Sequence, residues 1–383
     1  LVAFAESTTD RPLIEILCES EEHAGDQCPE PVEVAVDVGG YGPRTGSTRQ
    51  GGRALAGTTV TLAGGNRDDP GFVRQLEAFT ELTGINVDQS GDLLEAARAD
   101  GDVPDVALAV APFQASMQST MLDLGQFLDP DTLRADFGDY LVRLGTVGFD
   151  GAWPSQDGVI HTIPFHLGLK GLVYYPKAAF DDAGYEVPST WAELMALSTQ
   201  MVADGHSPWC FGFESGVASG WPGTDLIEGL VLRTSGVDVY DEWTFGTRPF
   251  TSPGVLAAAR LADDLIFEPG FVRNGPGSIS NTLYTDPLFP MLQRNSATGE
   301  PAPQCWLVTQ SDILFREVPP GTELGVDLDV FPLPPVDAGR AAATTGGVFF
   351  AGAFVDRPEV RAFVEFMASP EWGEAWAAEP IPG

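Results

Sequence analysis

The run Thr58-Thr-Val-Thr-Leu-Ala63, followed by Gly64-Gly-Asn-Arg-Asp-Asp-Pro70 and later by Ile85-Asn-Val-Asp88, sets the architecture of this chain. Its first six residues are rich in β-branched side chains and read as a strand. Phe72, Val73, Leu76, Phe79 and Leu82 then recur at helical spacing, and Gly84 stops the helix. Ile85 opens a second strand, so the stretch is a β-α-β start. Working outward, Pro104-Asp-Val-Ala-Leu-Ala-Val110 reads as a buried strand and residues 113–121 as a helix. Strands and helices alternating across short loops predict an α/β fold, with a parallel or mixed sheet covered on both faces.

The same texture continues downstream. Residues 157–164 and 171–176 read as strands joined through 165–170, and Thr190-Trp-Ala-Glu193 is a capping box heading a helix that Gly205 closes. Residues 226–235 are helix-like, Ser252-Pro253 opens a further helix, and 270–303 is mostly loop. Strands are expected at 326–331 and 347–351, an amphipathic helix at 356–367 and a second one capped by Ser369-Pro370. Residues 1–57 read as an acidic, then Gly- and Arg-rich extension with a short strand at 32–38 and a linker.

Length and charge narrow the function. A chain of 383 residues suits two lobes, each with its own core. Its 55 acidic and 20 basic residues give a net charge of −35, which makes nucleic acid and anionic membrane poor partners. Lysine occurs only as Lys170 and Lys177. No apolar run reaches the ~20 residues of a membrane helix, and no leader pattern opens the sequence, so export implies a signal or anchor already removed. Four cysteines allow three pairings; their local contexts favour Cys18 with Cys28 and Cys210 with Cys305, against four buried thiols, and oxidised pairs would place the chain outside the cytosol. Neither lysine lies in a P-loop, G-x-S-x-G and H-E-x-x-H are missing, and the four histidines are not spaced as ligands, so no cofactor and no metal are expected.

The chemistry concentrates in Ser207-Pro-Trp-Cys-Phe-Gly-Phe-Glu-Ser-Gly-Val-Ala-Ser-Gly-Trp-Pro-Gly-Thr-Asp225. Indoles lie flat on apolar sugar faces, carboxylates accept from hydroxyls and glycines let backbone approach, so this composition suits a wall that grips a polar ring. With Val231-Leu-Arg-Thr-Ser-Gly236, Val239-Tyr-Asp-Glu-Trp243, Phe180-Asp-Asp-Ala-Gly-Tyr-Glu-Val-Pro-Ser-Thr-Trp191, Cys305-Trp306 and Asp356-Arg-Pro-Glu-Val-Arg361, the stretch resembles the extracellular solute-binding proteins of ABC sugar importers, most of all the subgroup that handles α-glucosides. The resemblance spans about residues 58–376.

It implies a two-lobed α/β binding protein, of the type II-like periplasmic-binding-protein fold, hinged around an interlobe ligand cleft. Lobe one would hold 58–166 and a return at 341–383, lobe two 167–340, with 1–57 as an extension. The subgroup has a Cys pair where Cys210 and Cys305 fall, which strengthens that pairing. The implied partners are an oligosaccharide and a membrane permease, for a monomeric lipoprotein at the outer face of the membrane or in the periplasm.

Trp221 is the first candidate for stacking on a pyranose, with Glu214 and Asp225 as acceptors and Trp306 on the same wall. In lobe one Asn66 and Asp68 follow the first strand and Gln114 follows the strand ending at Val110, where strand ends face a ligand crevice. His166, with Lys170 near it, lies near the expected hinge, and Gly347 with Gly346 offers backbone amides. The sequence departs from the family at Leu226, where a Trp is common, and at Gly346-Gly-Val-Phe-Phe350, where a more polar run is common; the family also continues several tens of residues past the position of Gly383. A hydrolase using Glu214 and Asp225 as acid and base, or a ligand-less sensory or scaffold module of the same fold, is the alternative.

Overall fold

The computed structural model describes residues 2–4, 52–65, 69–90, 103–110, 120–336 and 344–377. Asn66, Asp68, Gln114, Cys18, Cys28, the strand expected at 32–38 and most of the helix expected at 113–121 lie outside the described residues. The chain divides into two compact units, one built on Gly168–Gly347 and the other on the described parts of Ala35–Leu167 with Val348–Pro380.

In the second of these, Thr59–Ala63 is the middle of a parallel trio, with Val60 opposite Val87 of Asn86–Ser90 and Leu62 opposite Val106 of Val106–Val110. The strand Thr344–Ala353 continues the sheet antiparallel, pairing Phe350 with Ala109 and Ala353 with Val106, and pairs in turn with Val2–Phe4, Val2 opposite Gly346. The helix Pro70–Thr83 forms where its signals say: Asp69 accepts from the Gly71 and Phe72 amides, Pro70 occupies the first turn, and Gly84 ends the helix at φ 74°, a left-handed conformation that favours glycine. Phe79 is wholly buried, with ring centroids 4.9 Å from Phe363 and 5.4 Å from Phe366 of the helix Pro358–Met367. Trp372, on the helix Pro370–Ala377, sets its ring edge-on to Phe72, Phe165, Phe363 and Phe366. One aromatic cluster thus joins the first β-α-β segment to the end of the chain.

The other unit holds a three-stranded antiparallel sheet in the order Asp329–Pro332, Leu172–Tyr175, Val308–Gln310. Helices Lys177–Ala183, Trp191–Ala203, Trp221–Ser235, Val237–Thr244 and Pro253–Phe267 bury Phe180, Leu194, Leu230, Tyr240 and Leu265 around Trp209. Trp209 is fully buried, stacks on Phe211 with rings 5.6 Å apart and donates its indole N–H to Ser198 at 3.0 Å. The Thr190–Glu193 capping box is present. Arg233 is buried as well, donating to the carbonyls of Leu333 and Gly229, and burial pushes its guanidinium down to about 10. Lys177 is a surface residue paired with Asp181 at 2.9 Å.

Several boundaries differ from the sequence expectation. Residues 165–170 do not merely link two strands: Thr162–Leu169 is one strand that carries His166. The helix read from 226 starts at Trp221, because Gly220 at φ 99° turns the chain and Pro222 fits a first turn that needs no amide. Residues 270–303 contain the short helices Pro276–Asn281 and Leu288–Met291. Among the described residues no helix is long and apolar enough to cross a membrane.

Cys210 and Cys305 are bonded, with Cα atoms 5.7 Å apart and a separation of 95 positions in sequence. A loop of that length, cross-linked before unfolding, stabilises by up to about 4.7 kcal/mol through lost chain entropy. Reduction is expected to lower the thermal midpoint markedly, read by calorimetry with and without reductant; an unchanged midpoint would remove the bridge from the stability argument.

Candidate functional site

The wall is built from an irregular segment pinned on both sides. The Trp209 amide donates to Phe271 O and the Cys210 amide to Leu307 O, at 2.8 and 2.9 Å. Further on, Glu214 N donates to Thr282 O and Tyr284 N to Glu214 O, each at 3.0 Å. Gly212 is required for this approach, since a Cβ there would sit 2.2 Å from Leu283 O. Glu214 spends one carboxylate oxygen on the Gly216 amide at 2.8 Å, so it stiffens the turn that leads into the helix Trp221–Ser235.

On that helix Trp221, Asp225 and Glu228 fall at i, i+4 and i+7, which lines them along one face. The Trp221 ring is half-buried and lies 5.3 Å from the Tyr284 ring at 63°. Asp225 is not the helix cap, a position Gly220 holds; it accepts instead from the ammonium of Lys170. Both side chains of this ion pair are withdrawn from solvent, 13% exposed for Lys170 and 8% for Asp225. Lys170 is fixed by its backbone, whose amide donates to Thr345 O at 3.0 Å while its carbonyl accepts from the Thr344 hydroxyl at 2.7 Å. Gly347 faces it, since a Cβ there would meet Lys170 Cε at 3.2 Å.

Two acidic groups that the sequence reading missed complete the cluster. Asp312 accepts from the Leu169 amide at 2.9 Å; burial pushes its carboxyl up, while that amide, Arg316 and Lys170 pull it down. Glu228 is 3% exposed, and burial pushes it up to about 7, with Lys170 lowering and Asp225 raising it. Burial likewise raises Asp225 against the pull of Lys170. The spacing of Asp225 and Glu228 was visible in the sequence; the lysine across from them was not.

The remaining candidates sit elsewhere. Trp306 is in the core, not on a wall: it is 5% exposed and enclosed by Tyr185, Phe180 and His206, with centroids 5.2, 6.4 and 4.8 Å away. Its backbone amide donates to Pro208 O at 3.0 Å, next to the disulfide-bonded Cys305. Leu226 is buried in the same core. His166 belongs to the other unit, where its ring lies 5.6 Å from that of Phe349, itself 40% exposed, and 6.5 Å from Phe165. Among the described residues no set of His, Cys, Asp and Glu is arranged to hold a metal ion.

Between the ordinary carboxylate value of 4.5 and about 7, folded Glu228 keeps a proton that the unfolded chain has released. Stability therefore falls as pH rises through that window, and the raised Asp225 and Asp312 add slope in the same direction. Glu228→Gln is expected to remove on the order of 3 kcal/mol of this pH dependence. Urea unfolding of the ligand-free protein at about pH 5 and about pH 8 checks it; equal slopes in both proteins would refute the assignment.

Comparison with known proteins agrees with this architecture. A family profile described as bacterial extracellular solute-binding protein matches residues 66–374. The alpha-glucosides-binding periplasmic protein AglE of Rhizobium meliloti is 30% identical over 344 residues, 86% of this chain and 72% of that protein. The osmoprotective compounds-binding protein GgtB of Synechocystis is 30% identical over 307 residues, 77% of this chain and 68% of that protein. Maltose-bound MalE3 of T. maritima shares the fold, with a TM-score of 0.60 at 20% identity over 85% of this chain and 82% of that one. The mixed α/β fold is thus that of the two-lobed periplasmic sugar-binding proteins. The chain belongs to the family of bacterial extracellular solute-binding proteins.

Proposed function

We propose that this protein captures an oligosaccharide, an α-glucoside, outside the cytoplasm and delivers it to the membrane permease of an ABC importer, acting as a lipid-anchored monomer without catalysis. The observation that carries the reading is the face of helix Trp221–Ser235, which presents an indole at Trp221 and a buried carboxylate one turn later at Asp225. An indole covers the apolar face of a pyranose, and an ionised acceptor takes its hydroxyls. Tyr284 packs against the indole and Gly347 lies against Lys170, while Glu214 remains a candidate contact on sequence grounds. His166, which belongs to the other unit, remains a candidate contact on sequence grounds. Asn66, Asp68 and Gln114 remain candidate contacts on sequence grounds. Lobes of 58–166 with 341–383, and of 167–340, preceded by an extension at 1–57, are the proposed domain plan. Support for the ligand class comes from the relative that binds alpha-glucosides and from the neighbour solved with maltose.

Maltose, trehalose and sucrose are the solutes to test. A binding disaccharide at a hundredfold excess over Kd is expected to raise stability by about 2.7 kcal/mol. Trp221→Ala is expected to weaken binding by up to about tenfold, since a lost stacking partner costs about 0.5–1.5 kcal/mol. Thermal unfolding and titration calorimetry measure both. A panel that leaves the midpoint unmoved counts against the sugar reading, and release of glucose from a chromogenic α-glucoside, abolished by Glu214→Gln, would replace it with hydrolysis.

A further inference from the structure

We infer that Glu228 is a second solute-contacting carboxylate, and that Asp225 and Glu228, with Lys170 beside them, read a vicinal diol of a neutral sugar; this rests on the sugar-binding reading above. Asp225 is 7% and Glu228 3% exposed, yet Asp225 Oδ2 and Glu228 Oε2 find no hydrogen-bond donor among the described residues. An acceptor withdrawn from water and left unmatched is destabilising, so a site that served the fold alone gains nothing by keeping two of them. Balancing Lys170 takes a single carboxylate, and Asp225 already does that. Glu228, three residues on along the same helix face, has no ion-pair partner among the described residues, which leaves its carboxylate available to a ligand.

Adjacent hydroxyls on a pyranose bring two donors on neighbouring carbons, which suits two carboxylates a turn apart. An ammonium has three N–H donors, of which Asp225 takes one, so Lys170 has capacity to donate to a hydroxyl or ring oxygen. A cationic solute would be drawn to the carboxylates but repelled by Lys170, whereas a neutral polyol uses donors and acceptors together. At Gly347 a side chain would crowd Lys170 Cε, so glycine lets the lysine reach Asp225 past this strand. Among the described residues, the charged groups that bear on Glu228 are Lys170 and Asp225, with Asp312 next to Lys170. Protonating Glu228 converts one ionised acceptor into a neutral one, so affinity weakens as pH falls below about 7.

Titration calorimetry of the intact, oxidised protein with maltose, trehalose and sucrose at about pH 8 and about pH 6 tests this, using wild type, Glu228→Gln and Glu228→Asp. Glu228→Gln is expected to keep or raise the thermal midpoint at about pH 8, to bind about tenfold more weakly, and to lose the weakening towards about pH 6. Glu228→Asp, which keeps a carboxylate, is expected to retain that pH dependence. Affinity of the Gln variant within about twofold of wild type would overturn the role of Glu228 while leaving sugar binding intact. Loss of affinity in step with a lowered midpoint in both variants would assign Glu228 to the fold alone. If wild type binds none of the three sugars, the sugar reading itself fails, and binding of choline in their place overturns the neutral-solute assignment.

Discussion

The ion pair between Lys170 and Asp225 is the constraint on which the rest of the wall depends. Removing either partner of a buried pair leaves a desolvated charge, at a cost of about 3–5 kcal/mol. Lys170 lies between the strands Thr162–Leu169 and Leu172–Tyr175, and Thr344 and Thr345 hold its backbone. Pairing Asp225 to such a fixed point sets the rotation of helix Trp221–Ser235 about its own axis. Trp221 and Glu228 then share a face with Asp225, while Leu226 and Leu230 turn into the core. One charge pair therefore decides which side chains the helix presents and which it buries.

The cluster also shows how an apolar core raises the stakes of polar groups beside it. Trp209, Phe211, Leu226 and Leu230 pack the unit from which this helix emerges. Low polarity there strengthens the attraction between Lys170 and Asp225, and by the same physics makes a second ionised acid costly. Glu228 responds by holding its proton towards neutrality. A raised acid near a buried cation is a pattern that functional sites and structural ion pairs share.

Local signals in the sequence were sufficient wherever structure is decided locally. The Pro70 start and Gly84 stop, and the Thr190–Glu193 capping box, describe contacts within a few residues and survive intact in the fold. The strand through His166 was not legible, because a strand is fixed by its neighbour and no residue between 165 and 170 announces one. Trp306 differs from expectation for a related reason: its position next to Cys305 gives proximity in sequence, but its ring packs among Tyr185, Phe180 and His206, residues distant in the chain. Glu228 had the right spacing and still went unnoticed. Its meaning comes from a lysine 55 residues before Asp225, a distance across which composition carries no information.

The scarcity of lysine acquires a practical meaning once the two side chains are placed. Lys177 stands on the surface in a loose pair with Asp181, its side chain 31% exposed, whereas the Lys170 amine is engaged with Asp225 inside the protein. An amine-selective reagent therefore meets two side-chain targets of very different accessibility. Lys177 reacts from the folded state and serves as a near-unique handle for a fluorophore or a solid support. Lys170 reacts only when its surroundings open, so the ratio of the two labelling rates is a covalent clock for local opening of the ion pair. A protein with the usual abundance of lysine would bury that signal under dozens of surface amines.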